Sequence, residues 1–160
     1  VTKLPFGEQV QVLAGEEGWA KSPRGEQEMT ADQVAATREQ IQQDTLSILR
    51  RVAELEFQAL EPMPVDGTPC IPVVVRFGEE PTVMFLDQET GLLKMVQSQG
   101  QDPMSGSPVT EKVHIREYQE MDGFKLPRSL TIEHDGEEFA QVTVTAFEAN
   151  PEVDPALFQR

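Results

Sequence analysis

Cysteine occurs once in the 160 residues, at Cys70, so no disulfide forms within the chain. Tryptophan and tyrosine also occur once each, and histidine only twice, at His114 and His134. Basic residues are scarce: 13 Lys and Arg stand against 28 Asp and Glu, a formal charge of -15. Residues 1–80 carry 7 basic and 14 acidic side chains and residues 81–160 carry 6 and 14, so the acid is spread evenly. Such a surface repels nucleic acid and anionic membrane, and excludes both as expected partners. A solvated acidic surface accounts for it; a calcium-dependent surface is the sharper alternative. Long apolar runs are missing too. The longest, "CIPVVV" and "VMFL", are far too short to cross a bilayer as a helix. Hydrophobic content of 38% with a mean hydropathy of -0.39 fits a globular chain of one domain, residues 1–160. The chain opens at Val1 with neither Met nor a charged-then-apolar leader. That reads as a removed signal peptide or as a fragment of a longer protein.

What the sequence does contain is alternation and turns. "QVQVLA", Gln9 to Ala14, has an apolar residue at every second place, the mark of a half-buried strand. Trp19 follows a turn and reads as a core anchor rather than a binding-site aromatic. "TADQ" then places Thr30 and Gln33 as a capping box, in which each bonds the other's main-chain amide. Behind it Val34, Ile41, Ile48, Val52 and Leu55 form a helical stripe, widened by Leu46 and Leu49. Asp44-Thr45 is placed to cap a second helix, so a break is expected near residue 44. From Leu55 onward the chain reads as antiparallel strands. The pairs Asp66-Gly67, Asp122-Gly123 and Asp135-Gly136 mark tight hairpins. The polar stretch from Gly100 to Pro108 reads as a loop. One helical region and one set of alternating strands predict an α+β fold: a single curved antiparallel meander of six to eight strands over helical residues between about 30 and 55.

Catalytic signatures are absent. The chain has no His-Glu-x-x-His or His-x-x-Glu-His, no Gly-x-Ser-x-Gly elbow, no P-loop and no Gly-x-Gly-x-x-Gly. His114 and His134 bracket the turn at 122–123, with Glu133 and Asp135 nearby, but two imidazoles on a sheet are better read as surface cross-strand residues than as metal ligands. "LDQETG" spaces Asp87, Glu89 and Gly91 somewhat like a calcium loop without its bidentate Glu, and a hairpin turn with Gly91 left-handed explains it more simply. Cys70 lies in an apolar strand, where a thiol packs as a small hydrophobe. No catalytic, metal-binding or cofactor-binding residue is expected, and no cofactor.

Four phrases become informative as an ordered set: "VDGTPCIPVVV", "FLDQETGLLKMV", "YQEMDGFKLPRSL" and "VTAFEANPEVDPALF". Val65 to Gly67, Asp87 to Leu92, Tyr118 to Pro127 and Asn150 to Phe158 resemble the pattern of the LolA-like outer-membrane lipoprotein-sorting family, over about residues 60–160. The segment "GEEGWAKSPRGEQEMTADQVAATREQIQQDTLSILRR" is similar to the version of this domain fused behind insulinase-type zinc peptidases. The family usually has further strands before the equivalent of "GEQVQVLAG", so a missing edge and a longer parent are expected. The resemblance implies a half-barrel sheet wrapped over the helical region, and a location in the periplasm or cell envelope.

It also implies two alternative roles. One is a non-catalytic accessory domain that binds or positions, with peptidase domains of the same parent as partners. The other is a stand-alone carrier of lipoprotein acyl chains or lipid. For a carrier, the cavity walls are Val113, Ile115, Leu130, Ile132, Val142 and Val144 on the sheet side and Ile41, Ile48, Leu49 and Val52 on the helix side.

Overall fold

The computed structural model describes residues 2–4, 7–23, 25–43, 45–76, 80–102, 107–148 and 150–158. The chain divides into two compact units, Val1–Arg51 with Pro151–Arg160 and Val52–Asn150, and each is described by itself.

In the first unit, β1 (Thr2–Leu4), β2 (Gly7–Ala14), β3 (Glu17–Ser22) and β4 (Gly25–Glu28) make an antiparallel sheet in chain order. Two helices follow, α1 (Ala31–Gln43) and α2 (Thr45–Arg50). The capping box forms as its spacing predicts. The Thr30 amide donates to Gln33 Oε1 at 2.8 Å, and the Gln33 amide donates to Thr30 Oγ1 at 3.2 Å. The chain reaches α1 close over β3. A Cβ on Gly18 would stand 2.8 Å from Met29 Sδ and 3.2 Å from Val34 Cγ2, so any larger residue here makes its neighbours shift. The Met29 amide donates to the Gly18 carbonyl at 2.9 Å, tying the two segments. Trp19 is buried, as expected of an anchor.

α1 ends at Gln43 and α2 begins at Thr45; the break expected near residue 44 lies outside the described residues. Val34 and Ile48 are buried, whereas Ile41 is 51% and Leu49 58% exposed. Helix also stops at Arg50 rather than near 55, and Val52 sits 55% exposed in the turn after it.

The second unit holds β5 (Glu56–Ala59), β6 (Met63–Val65), β7 (Thr68–Arg76), β8 (Thr82–Asp87), β9 (Leu93–Gln101), β10 (Pro108–Met121), β11 (Phe124–His134) and β12 (Glu137–Thr143). They form one antiparallel sheet in the order β12-β11-β10-β9-β8-β7-β5, with β6 paired to β7, and among the described residues this path does not close on itself. Each Asp-Gly pair makes the expected turn: Asp66, Asp122 and Asp135 have φ of 49°, 51° and 51°, and the glycines after them 78°, 78° and 89°. Positive φ at both central residues is the type I′ geometry, whose twist matches that of the flanking strands.

The antiparallel α+β reading therefore holds, and the larger sheet has eight strands. The expectation of a single sheet is corrected: the strands before the helices pair among themselves in a separate four-stranded sheet. Alternation reveals which face a strand covers, but sheet membership is set by long-range pairing that alternation does not encode.

Two local features of β10 and β11 bear on the site. The register slips between Ile115 and Tyr118, leaving Arg116 without a partner across the ladder. Pro127 pairs with Tyr118 beyond the reach of β12, whose ladder with β11 begins at Ser129. At that point β11 is locally an edge, where a missing N–H costs nothing.

Candidate functional site

Residues paired across antiparallel strands project to the same side, so the register sorts the larger sheet into two faces. Val113 lies opposite Ile132 and Val96, Ile115 opposite Leu130, Leu130 opposite Val142, and Ile132 opposite Ala140. Val113, Ile115, Leu130, Ile132 and Val142 thus share one apolar face, as their alternation predicts. Ile115 is 5% exposed, Val113, Leu130 and Ile132 are half-buried, and Val142 is 36% exposed. Val144 follows the end of β12 and extends its ladder by donating to the Arg128 carbonyl at 2.8 Å. Of the four helix-side candidates, Ile41, Ile48 and Leu49 belong to the first unit and Val52 opens the second.

The opposite face carries the core and an ionic cluster. Pro72, Phe85, Met95, His114 and Thr131 follow one another across β7 to β11 in register. Val65, Cys70, Phe85 and Met95 form the buried cluster, with Val83 against it. The Cys70 thiol is fully buried, and that burial pushes its pKa up. Val65 comes from the short hairpin of β6 and β7, and the next residue, Asp66, makes its turn.

The Asp66 carboxylate reaches β10, 48 residues further along the chain. Its Oδ2 lies 3.1 Å from His114 Nδ1 and also accepts from Arg116 Nη1. Arg116 lies two residues after His114 on β10, in the irregular stretch of the ladder, and its Nε donates to Thr131 Oγ1 at 3.1 Å. Burial alone would raise the Asp66 pKa, but the His114 ring and the Arg116 guanidinium outweigh it and hold the carboxyl below its ordinary value. The His114 side chain is 9% exposed, and its Nε2 lies 3.4 Å from Glu133 Oε1 without making a hydrogen bond. The cluster can pin the β6–β7 hairpin electrostatically over the sheet.

This corrects the reading of the histidines as surface residues that meet across a hairpin. His114 is buried and pairs with Thr131, while His134 pairs with Glu111. His134 Nε2 is 3.3 Å from Glu111 Oε2, and its ring stacks on Phe139 at 4.1 Å and 12°. Among the described residues no three His, Cys, Asp or Glu side chains converge as a metal site. Asp66, Arg116 and Thr131 were not singled out from the sequence. Asp66 is fully explained there as a turn former, and nothing local signals a partner 48 residues away.

The Asp87 segment is a turn, as expected. Asp87 Oδ1 accepts from the Glu89 and Thr90 amides at 2.8 and 2.9 Å, those bonds lower its pKa, and Gly91 has φ of 69°. A separate cavity of about 290 Å³ lies in the first unit, lined by polar side chains including Gln11, Gln27, Gln33 and Thr37. The described helices include none long and apolar enough to cross a membrane.

Fold and site together define an antiparallel-sheet α+β protein whose larger sheet has one partly open apolar face and an opposite face carrying the buried core and the ionic cluster. Neither the family models nor the curated proteins contain a match to this chain. A solved structure, that of a DUF1329 family protein from Desulfovibrio piger, is similar to it with a TM-score of 0.51. The likeness covers 94% of this chain and 68% of that one at 13% sequence identity, and it speaks to the fold alone.

Proposed function

We propose that this chain is a non-catalytic, LolA-like domain of a bacterial cell-envelope protein, with a binding or positioning role beside other domains of its parent. The parent fits an insulinase-type zinc peptidase, on the resemblance of residues 15–51. The periplasm or envelope location rests on the same family resemblance.

The observation that carries a binding role is the apolar face of the larger sheet. Five apolar side chains from β10, β11 and β12 share it, and four of them retain solvent exposure. An apolar face left partly open on a chain of charge -15 is where an uncharged or apolar chain would lie. That also supports the second reading, a carrier whose ligand is a lipoprotein acyl chain or a lipid.

A dansylated fatty acid, titrated by fluorescence, tests the carrier reading. Binding that saturates, and that weakens at least fivefold in Leu130→Gln and Val142→Phe with melting temperatures little changed, supports it. No binding by the wild-type chain removes the carrier reading and leaves the accessory domain, whose test is co-purification with the parent's remaining domains expressed separately.

A further inference from the structure

We propose that β12 is a docking edge that takes an extended, basic-apolar segment of a partner protein as an additional strand. This is independent of any acyl ligand on the sheet face.

Among the described residues no strand pairs with the outer side of β12, which ends the eight-stranded order. The direction of its free groups follows from the register. Val144 N–H donates to the Arg128 carbonyl, and Leu130 pairs with Val142 and Ile132 with Ala140 in the same phase. The main-chain groups of Ala140, Val142 and Val144 therefore point to β11, and those of Gln141 and Thr143 point outward. An unpaired edge is a template for another strand unless it is blunted by Pro, Lys or a bulge. Residues 137–143 contain neither Pro nor Lys. The ladder is irregular only between Ile132 and Glu133, near the Glu137–Phe139 end, and from Ala140 onward the edge is regular.

Side chains fix the partner's chemistry. Ala140 and Val142 continue the apolar face, and Val142 is exposed at its rim. Glu138 and Gln141 lie on the other side, joined by a hydrogen bond from Gln141 Nε2 to Glu138 Oε1 at 3.0 Å. An added strand places alternate residues on these two faces. The complementary segment is therefore apolar at one parity and Lys or Arg at the other. A second copy of this chain fits poorly, since it brings its own Glu137 and Glu138 and another charge of -15.

The test uses a fluorescein-labelled decapeptide of alternating Lys and Val, with the Glu-Val decapeptide as control. Saturable binding of the first and none of the second is expected, weakening in 0.5 M salt. On the wild-type chain, hydrogen exchange should slow at the Gln141 and Thr143 amides and not at edge strand β5. Thr143→Pro removes an outward N–H while sparing the ladder to β11, and should cut affinity at least tenfold with the melting temperature preserved. Binding unaffected by Thr143→Pro, or protection spread over the acidic surface, overturns the proposal. So does no binding, or concentration-dependent dimerisation of the chain that Thr143→Pro abolishes.

Discussion

Asp66 serves two structural ends, and substitutions can separate them. Its φ of 49° is left-handed, a conformation that glycine and asparagine adopt easily and alanine does not. Its carboxylate also bridges His114 and Arg116. Asp66→Asn keeps the turn and an acceptor for His114, losing only the ion pair with Arg116. With the two side chains 48% and 39% exposed, screening keeps that pair to about 0.2–1 kcal/mol. Asp66→Gly keeps the turn but leaves the buried His114 Nδ1 without its partner, for about 1–3 kcal/mol. Asp66→Ala adds left-handed strain of about 1 kcal/mol to the Gly loss. The expected order of stability is wild type, Asn, Gly, Ala, spanning about 3 kcal/mol in urea unfolding followed by far-ultraviolet circular dichroism. The pH dependence has a definite sign. The folded carboxyl is held below its ordinary value of 3.8, so its contribution is complete above that pH and is lost as pH falls through the folded value. The gap between wild type and Asn should close as pH falls below 3.8 and through the folded value. An Asn variant as unstable as Ala, or a gap that persists once the carboxyl is protonated, refutes the bridging role.

Three further outcomes are expected. Gly18→Ala should cost about 1–3 kcal/mol, because the new methyl meets Met29, Val34 and the Val12 carbonyl within 3.3 Å; Met29→Ala in the same chain should restore only part of it in thermal melts. Thr30→Ala should cost about 1 kcal/mol by removing the cap of α1, while Thr30→Ser stays close to wild type in the same assay. Cys70 should resist a thiol reagent in the native chain and react at once in denaturant, since burial keeps its thiol covered and its pKa high; fast native labelling would contradict the packing.

Local signals in the sequence were reliable where a feature is made by neighbours. The capping box of Thr30 and Gln33, the three Asp-Gly turns, and the sidedness of Val113, Ile115, Leu130 and Ile132 are all settled within a few residues. The features that sequence reading missed depend on distance. The four-stranded sheet is a matter of which strands pair, and the Asp66–His114 contact joins residues 48 apart. His114 misled for a related reason. A polar residue within alternation looks solvent-facing, but here its face is the one carrying the buried Cys70, Phe85 and Met95 cluster.

The three Asp-Gly turns also act on the folding route. In this meander nearly every strand finds its partner next to it in the chain, so most of the ladder can zip from its turns with short loops to close. A slip of one residue in any hairpin would exchange its two faces, setting Val113 and Ile132 where His114 and Glu133 belong. Turns with positive φ at both central residues hold the strands in one alignment as they form. Lengthening the Asp122-Gly123 turn by one residue should therefore harm the fold far more than a point substitution on either face, because it removes the device that fixes which face each side chain of β10 and β11 occupies.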